Sequence, residues 1–469
     1  MNFKKLLNSC VLAALAMTSL QMTAANIDNA TARTMASDFL KMQAASSRGM
    51  FNAPALTDIR LAHAEPSAAV NGANDYYVFN VTGGGFIIIA GEDRAATVLG
   101  YSDKGRFDAN FVPAPLKDLL NDYKNEIEFL QTYEGDDLVP MPNAFQATAG
   151  VEPLIKTTWG QEMPYYLQCP KQNGEYCVVG CVATAMAQVM YYWKYPTECS
   201  SLSGYGGGWW SSVTVSALPA TTFNYNKMLL SYCHWDWDNS VLVQDTYTDE
   251  QAQEVAKLGR YCGQAVEMDY SPEGSGAYTW NQYDAMINTF GYRSTAEDVS
   301  KDGSWWSGGG GYTTAQWEAM IKEELDAGRP ILYSASDPSA GGHAFICDGY
   351  NSSGYFHFNY GWYGTCDGWY LSTSLKMTHR DGDQLNFSSS HEMLIGIEPP
   401  EGWVPPVETL MGDVNNDGLI NITDVTLLIA YATTQEDNGI NLEAADISGD
   451  GNINVTDVTM LITLVMNSN

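Results

Sequence analysis

The chain has 469 residues, with 55 acidic and 23 basic side chains and a net charge of −32. At roughly 150 residues per domain, this length predicts about three domains. So few cations exclude a protein whose main task is to bind the nucleic-acid backbone, because that task needs clustered lysine and arginine. Hydrophobic residues make up 45% and charged residues 17%, which predicts a well-cored globular protein rather than a disordered polyanion.

The N-terminus has the pattern of an export signal. Lys4 and Lys5 precede the short apolar run LLNSCVLAALAMTSL, and small residues follow at 23–25. We therefore expect residues 1–25 to be a signal peptide. No later segment approaches the roughly 20 apolar residues of a membrane span, so we expect no transmembrane segment after signal removal. The protein is expected to be secreted or associated with the cell surface.

A small α+β unit is predicted next, over residues 26–146. Residues 27–47 have helix-like apolar spacing. The runs DYYVFNV and GFIIIAG are strand-like, and the Thr-Gly-Gly-Gly at 82–85 between them predicts a hairpin. Residues 116–133 again have helical spacing, and the polar stretch 134–150 is expected to be an exposed linker.

The segment 147–400 is aromatic and glycine-rich and contains every cysteine except Cys10. If one of these eight cysteines is a working thiol, seven remain and cannot all pair internally. Export would permit disulfides, but the sequence does not assign them. The run EPPEGWVPPVE then contains four prolines and predicts a semi-rigid spacer, which we place at residues 401–410.

Residues 411–469 contain an internal repeat, DVNNDGLINITD and DISGDGNINVTD, whose copies start 33 residues apart. Each copy has oxygen-bearing side chains at loop positions 1, 3, 5, 9 and 12 and glycine at 6, an arrangement that wraps Ca²⁺. The repeat therefore predicts two calcium ions, and an apolar helix after each loop; the alternative is a pair of acidic turns without metal. The expected ligands are Asp413, Asn415, Asp417, Asn421 and Asp424 in the first loop and Asp446, Ser448, Asp450, Asn454 and Asp457 in the second.

A candidate nucleophile lies in the run YCVVGCVATAMAQVMYYW at 176–193. The apolar spacing after Cys181 predicts a buried helix, and Gly180 permits a tight entry into it. At the helix N-terminus, unpaired N–H groups and the positive end of the dipole favour a thiolate. Cys177 is the rival, but it precedes the helix. The alternative for Cys181 is a buried structural cysteine, since free cysteine is often buried.

A candidate base lies far along the chain. His343 follows two glycines at the head of the strand-like run GGHAFICDGY, and Asn359 lies in the next run, YFHFNYGWYG. The order Cys, His, Asn follows the logic of nucleophile, base and orienting group. His357 could compete as the base, and His343 could instead be a core histidine.

Together, EYCVVGCVATAMAQVMYYWKYP, GGHAFICDGY and FHFNYGWYGTCDGWY resemble the streptopain family of cysteine peptidases, family C10. The upstream TTWGQEMPYYLQCP resembles the mature N-terminal motif of that family, and DYYVFN with the following glycine-rich strand resembles its propeptide. The resemblance covers nearly all of residues 26–398. Carried over by position, Cys181 is the nucleophile, His343 the general base, Asn359 the orienting residue and Gln161 an oxyanion-hole donor.

The resemblance also implies a substrate cleft, with Gly342, Ser275 and Trp362 along it. One residue departs from the family pattern: Tyr360 stands directly after the asparagine, where the family commonly has tryptophan. Trp362 is expected to shield the histidine–asparagine hydrogen bond. The glycine-rich stretches 203–210 and 302–312 are expected to be mobile cleft walls or ordinary exposed insertions.

The tail resembles a type I dockerin. In dockerins, loop positions 10 and 11 are typically Ser-Thr and contact the cohesin partner, whereas this chain has Ile-Thr at 422–423 and Val-Thr at 455–456. The partner is therefore expected to be cohesin-like or another surface protein.

The expected fold class is α+β: a papain-like cysteine peptidase domain at 147–400, an inhibitory α+β propeptide before it and a small all-α calcium-binding dockerin-like domain after it. The expected function is a secreted cysteine endopeptidase, made as a zymogen, acting on protein or peptide substrates without a catalytic cofactor. The alternatives are a catalytically silent protease-like binding protein or adhesin, and a cross-linking enzyme of the transglutaminase type on a similar dyad.

Overall fold

The structure is a computed structural model. It describes residues 25–45, 58–135, 138–140, 150–206, 211, 213–239, 241–303, 311–337, 341–375, 377–379, 391–405, 411–417, 419–436, 439–449 and 451–467. The predicted signal peptide up to residue 24 and most of the two glycine-rich cleft walls lie outside these ranges.

The N-terminal unit has the predicted order of helix, hairpin and helix. Its elements are α1 (Asn29–Ala45), β1 (Ile59–Pro66), β2 (Asn74–Val81), β3 (Phe86–Ala90), β4 (Val98–Ser102) and α2 (Ala114–Thr132). The hairpin between β2 and β3 turns through Gly83, Gly84 and Gly85, all with positive φ, which a residue with a side chain rarely adopts. Both predicted helices and the hairpin are confirmed.

The segment 147–400 contributes further strands and helices. The strands are β6 (Lys171–Gln172), β7 (Glu175–Tyr176), β8 (Glu198–Cys199), β9 (Thr221–Thr222), β10 (Cys233–Asp236), β11 (Val241–Gln244), β12 (Glu297–Ser300), β13 (Ile331–Asp337), β14 (Gly341–Tyr350), β15 (Phe356–Asn359), β16 (Gly368–Tyr370) and β18 (Glu392–Ile395). The helices are α3 (Cys181–Trp193), α4 (Asp249–Ala265), α5 (Asn281–Asp284) and α6 (Thr314–Asp326).

The two units share one sheet of ten antiparallel strands. Its order is β1-β2-β3-β4-β16-β15-β14-β13-β18-β12. The junction is the pair β4 and β16, where Tyr101 lies opposite Trp369. The N-terminal unit therefore extends the peptidase sheet, which the sequence did not indicate.

The predicted linker at 134–150 is wrong in one part. Leu138–Pro140 forms strand β5, which pairs with β17 (Met377–His379). The short apolar Leu-Val-Pro segment pairs with a strand that is at least 237 residues away in the sequence. No local sequence pattern reveals such a long-range pairing.

The sheet separates two buried cores. Successive residues of a strand point to opposite faces, so Phe345 and Phe358 join the core formed with α2 and α6, whereas Ile346 packs with α3 and α4. Asn359 points to the α3 face, since its side chain bonds to Gln188 of that helix. Helix α3 and the N-terminal unit's α2 thus cover opposite faces of the same strands.

The tail has its own small core. It contains α7 (Ile422–Thr434), α8 (Leu442–Ala445) and α9 (Val455–Asn467), which confirms the predicted helix after each repeat loop. Val425, Leu428 and Leu461 lie in a hydrophobic cluster of the tail alone. In the predicted spacer, the Trp403 indole donates to the Trp193 carbonyl at 3.1 Å. The beginning of the spacer is thus anchored on the peptidase.

No helix among the described residues is long and apolar enough to cross a bilayer.

Helix α2 places a buried carboxylate against the peptidase segment. The Glu126 carboxylate accepts hydrogen bonds from the Ser374 backbone N–H at 2.6 Å and from the hydroxyls of Ser374 and Thr373. Burial raises the pKa of Glu126 from 4.5 to about 7, although these donors oppose the shift. Part of the contact between the two units is therefore sensitive to pH.

Glu126→Gln is expected to flatten the pH dependence of stability of the uncleaved chain. A carboxyl whose folded pKa is raised favours the folded state below its unfolded pKa, and that stability is lost as the pH rises to about 7. The free energy of unfolding lost over this range is about 3 kcal/mol, at about 1.4 kcal/mol per pKa unit. Urea unfolding at pH 5 and pH 8, followed by tryptophan fluorescence, measures it.

The matched control is Glu134→Gln, because Glu134 is exposed at the end of the same region. The control should retain the wild-type change between the two pH values. An equal change in Glu126→Gln would contradict this account of the contact.

Candidate active site

Cys181 is the first residue of α3, as the apolar spacing predicts. The preceding Gly180 has φ +89°, and a Cβ atom there would lie 2.7 Å from the Met268 side chain and 3.0 Å from the Ser275 carbonyl oxygen. Only glycine fits both the conformation and the space. This tight entry places the sulfur at the end of the helix, where N–H groups lack intrahelical partners.

The sulfur lies against the middle of the sheet. The Ala344 backbone N–H, on β14, points at Cys181 Sγ with an N···S distance of 3.5 Å. The N–H groups of Val182 and of Cys181 itself also point at the sulfur. Burial outweighs these donors and raises the pKa of the Cys181 thiol. This raised pKa opposes the thiolate that the helix end and His343 are expected to favour.

The eight described cysteines are all free thiols, so none of them forms a disulfide. Cys181 is partly exposed, whereas the other seven are buried. The rival Cys177 is completely buried, and its N–H bonds to the Pro170 carbonyl before the helix begins. Exposure thus distinguishes Cys181 as the thiol that reagents and substrates can reach.

His343 lies near the start of β14, opposite Ala335 of β13, and is partly exposed. The peptide that joins it to Ala344 carries the N–H that contacts the sulfur. Residues 162 positions apart in the sequence are therefore brought together at the N-terminus of α3. Gly342, predicted to line the cleft, is exposed next to His343 and opposite Ser336.

Asn359 is buried at the end of β15 and joins three segments. Its amide donates to the Thr157 carbonyl at 2.8 Å, and its oxygen accepts from Gln188 at 3.1 Å and from the Gly361 N–H at 3.0 Å. Gln188 in turn accepts from the Thr157 hydroxyl at 2.7 Å. The network fixes the strand end, the catalytic helix and the segment that leads to Gln161 relative to one another.

The sequence reasoning did not single out Gln188 or Thr157. A signal for Gln188 was present, since it is a polar residue on the buried helix, seven positions and therefore two turns after Cys181. No comparable signal marks Thr157, because its role depends on a contact with a distant strand.

Gln161 lies beside the helix entry. Its backbone carbonyl accepts the Val179 N–H at 3.0 Å, two residues before Cys181. The next residue, Glu162, donates its N–H to the Tyr363 hydroxyl at 3.0 Å, which fixes this loop against the chain after β15. The backbone of Gln161, the predicted oxyanion donor, is therefore bonded to the chain two residues before the candidate nucleophile.

The residues around Asn359 point in different directions. Tyr360 is buried on the α2 face, with its ring 5.5 Å from that of Phe345. Trp362 is partly exposed and packs against the same core as Tyr360, and its ring lies 6.2 Å from Phe111 of the N-terminal unit. The departure from the family pattern at Tyr360 therefore changes the core behind the sheet, and the predicted shielding role of Trp362 stays a prediction.

The Ser275 hydroxyl is used within its own loop. It accepts the Ser271 N–H at 3.0 Å and donates to the Ser271 carbonyl. The Ser275 carbonyl lies against Gly180. The residue therefore shapes the entry to the helix through its backbone.

The rival histidine, His357, is committed to a buried ion pair. Its Nδ1 lies 2.6 Å from Asp348, whose other oxygen accepts the Ile155 N–H. Burial alone would lower the pKa of His357, but the Asp348 carboxylate outweighs it and raises the pKa. His357 therefore anchors the start of the peptidase segment.

The two repeat loops close on their last carboxylate. Asp424 and Asp457 are completely buried. The two oxygens of Asp457 accept the N–H groups of Ser448 and Asn454, both at 2.8 Å, and Asp424 does the same with Asn415 and Asn421. Side-chain oxygens such as those of the two loops are the ligands that Ca²⁺ prefers. Within the described ranges no three His, Cys, Asp or Glu side chains converge as a metal cluster, and Asp450 lies outside those ranges.

Comparisons with known proteins match all three parts of the chain. Residues 159–370 match the Peptidase C10 family, residues 24–127 match the Spi protease inhibitor family, and residues 411–466 match the Dockerin type I domain. These matches agree with the streptopain and dockerin resemblances of the sequence.

Individual relatives agree with the family matches. Streptopain of Streptococcus pyogenes serotype M1 is 28% identical over 392 residues, covering 78% of this chain and 91% of the relative. The thiol protease/hemagglutinin PrtT of Porphyromonas gingivalis is 30% identical and covers 73% of this chain, but only 39% of the relative. A solved fragment of Prevotella intermedia prointerpain A has 29% identity and a TM-score of 0.57, covering 72% of this chain and 98% of the fragment.

The fold and the site therefore define a papain-like cysteine peptidase that carries its prosegment. The chain belongs to the C10 cysteine peptidases, with an Spi-type prosegment and a C-terminal dockerin type I domain.

Alkylation of Cys181 in the uncleaved chain is expected to be slow at pH 7 and to become faster as the pH rises. The reactive form is the thiolate, and burial raises the pKa of the Cys181 thiol and so disfavours that form. The rate of iodoacetamide labelling, followed by mass spectrometry of the intact protein, gives the profile.

Cys181→Ala should abolish this labelling, because the other seven described cysteines are buried. A labelling rate that is already maximal at pH 6 to 7 would contradict a raised pKa of the Cys181 thiol.

Proposed function

We propose that this protein is a secreted endopeptidase zymogen in which Cys181 is the nucleophile and His343 the general base. The observation that carries the proposal is the contact of Cys181 Sγ with the peptide between His343 and Ala344, at the N-terminus of α3. The helix end favours a thiolate once the site opens to solvent, because desolvation is what raises the pKa in the uncleaved chain.

In the proposed reaction, His343 takes the thiol proton of Cys181 and the thiolate attacks a peptide carbonyl. The Cys181 N–H and the Gln161 side chain stabilise the oxyanion, and such a donor is typically worth about 3 kcal/mol. His343 then gives its proton to the leaving amine, and the C–N bond breaks. Water hydrolyses the thioester, with His343 as base, and regenerates the thiol. Asn359 acts as a positioning residue, through the buried network that holds α3 and the Gln161 segment.

The prosegment is proposed to keep the enzyme latent. Its β4 pairs with β16 of the peptidase, and its Phe111 contacts Trp235 and Trp362 of the peptidase. The raised pKa of the Cys181 thiol is consistent with this role. Cleavage is proposed to fall at about residues 140–150, between the two matched domains.

The tail is proposed to bind two calcium ions and a cohesin-like or other surface partner. The donor sets of both loops support the metal, which would fix the loops and the helices that follow them. Ile422 and Val455, at position 10 of the two loops, are 67% and 73% exposed. Because these two exposed side chains are apolar, the partner's contact surface is expected to be less polar than the surface of a cohesin that binds Ser-Thr. The predicted signal would export the protein.

Cys181→Ala and His343→Ala are each expected to lower casein hydrolysis by a factor of 10³ or more after prosegment removal, because nucleophile and base act as a unit. Gln161→Ala should lower kcat by about 10²-fold, since one oxyanion donor is lost. An epoxide that alkylates thiols should inhibit the wild type completely.

Cys199→Ala is the matched control, because Cys199 is a buried cysteine in β8 and is not one of the candidate site residues. Undiminished hydrolysis by Cys181→Ala would refute the mechanism. Absence of hydrolysis by the cleaved wild type would favour a silent protease-like binding protein.

Calorimetry on the full chain is expected to show two bound calcium ions, with one lost in Asp424→Asn and the other in Asp457→Asn. Each substitution removes the position-12 carboxylate, which supplies charge as well as oxygen ligands. Glu443→Gln, an exposed carboxylate in the same domain, should retain both ions. A calcium titration without heat, and without any change in tail stability, would contradict the metal proposal.

A further inference from the structure

Tyr363 follows strand β15 in a backbone conformation that tyrosine rarely adopts. Its φ is +58°, in the left-handed region that favours glycine. A bulky residue in this conformation strains the backbone, and such strain is typical of positions where the side chain has a specific task. The contacts of the Tyr363 side chain indicate what that task is.

The Tyr363 side chain packs on the loop that contains Gln161. Its ring covers Gly160, where a Cβ atom would lie 2.1 Å from the ring, so that only glycine fits. Its hydroxyl accepts the Glu162 N–H at 3.0 Å, and the Gln161 N–H also points at this oxygen. Tyr363 thus contacts Gln161 itself and the residue on each side of it.

The loop is also tied to its surroundings through its backbone. Trp159 is buried, its indole donates to a backbone carbonyl at 2.9 Å, and its own carbonyl accepts the Tyr363 N–H at 3.3 Å. The Gln161 carbonyl accepts the Val179 N–H at 3.0 Å, near the entry to α3. The two ends of the loop are therefore fixed, and the Tyr363 side chain holds the residues between them.

The segment that carries Tyr363 also contacts helix α3. A Cβ atom at Gly361, two residues earlier, would lie 3.1 Å from the Thr184 side chain, in the first turn of that helix. Cys181 is the first residue of the same turn. One short segment therefore contacts both the helix with the candidate nucleophile and the loop with the candidate oxyanion donor.

We propose that Tyr363 is a positioning residue of the oxyanion hole, whose ring and hydroxyl hold the loop so that the Gln161 amide points at the oxyanion formed on attack by Cys181. The inference rests on the proposed peptidase function and on the proposed role of Gln161. In this role Tyr363 acts only through Gln161. Because the oxyanion develops only after substrate binding, a loss of this positioning lowers kcat and leaves KM nearly unchanged.

The test measures kcat and KM on a fluorogenic peptide, with full chain that has been cleaved to remove the prosegment. Tyr363→Phe keeps the ring and removes the hydroxyl, so the Gln161 loop is held less firmly. It is expected to lower kcat roughly tenfold with KM nearly unchanged, since a small misplacement of a catalytic group is costly. The pH profile of kcat/KM should keep its wild-type shape, because the proposed role does not involve the acid–base groups.

A double-mutant cycle with Gln161→Ala tests whether Tyr363 acts through Gln161. In the Gln161→Ala background, Tyr363→Phe should change kcat by less than about twofold, because the donor that it positions is already absent. A general structural role of Tyr363 would instead lower kcat by the same factor in both backgrounds.

Tyr192→Phe is the matched control. Tyr192 is also partly exposed, and its hydroxyl donates to the Gly328 carbonyl at 2.9 Å rather than contacting the Gln161 loop. This variant loses one tyrosine hydrogen bond, as Tyr363→Phe does, and should keep the wild-type kcat. Urea unfolding of both variants checks that each is fully folded under the assay conditions.

The outcomes separate the two proposals. A wild-type kcat in Tyr363→Phe, an equal loss in the Gln161→Ala background, or a loss of the same size in Tyr192→Phe would overturn the positioning role and leave the peptidase in place. A wild-type kcat in Gln161→Ala would overturn the oxyanion role of Gln161 and the positioning role with it. A cleaved wild type without any hydrolysis would overturn the proposed function as well.

Discussion

The contact between the first turn of α3 and strand β14 is the constraint on which the site depends. A helix end supplies several N–H groups that need an acceptor, and the sulfur of Cys181 lies where they converge with the Ala344 N–H. The geometry requires a glycine at 180, because the chain enters the helix with positive φ against Met268. A buried amide network through Asn359 and Gln188 then holds the helix and the strand end in register.

The prosegment is part of the same architecture rather than a separate cap. Its strands continue the peptidase sheet, its α2 covers the face opposite α3, and its Phe111 ring contacts Trp235 and Trp362. In the proposed zymogen, the burial that raises the pKa of the Cys181 thiol would contribute to latency. Removal of the prosegment is expected to admit solvent to the sulfur and to lower that pKa.

Much of this could be predicted from the sequence because it is local. The helix after Cys181, the glycine-turned hairpin and the two repeat helices follow from apolar spacing and from where glycine stands. The order of the motifs predicts that Cys181 and His343 lie close together. In the structure, the Ala344 N–H next to His343 contacts Cys181 Sγ. By contrast, β5 was missed because its partner strand is distant, and the Phe111–Trp235 stack left no sequence signal, since many aromatic residues occur in this segment. The thiolate is expected from the helix end together with His343, whereas the burial that raises the pKa of the thiol is a property of the folded chain.

The most direct test of the central claim is the ultraviolet absorbance of the thiolate in the cleaved enzyme, titrated from pH 4 to pH 10. The account predicts a Cys181 thiolate that forms with a midpoint below about 7, as helix N-termini and histidine partners produce. The signal should disappear in Cys181→Ala, and its midpoint should shift upward in His343→Ala. A thiolate that appears only above pH 9 in the cleaved wild type, with or without His343, would contradict the account.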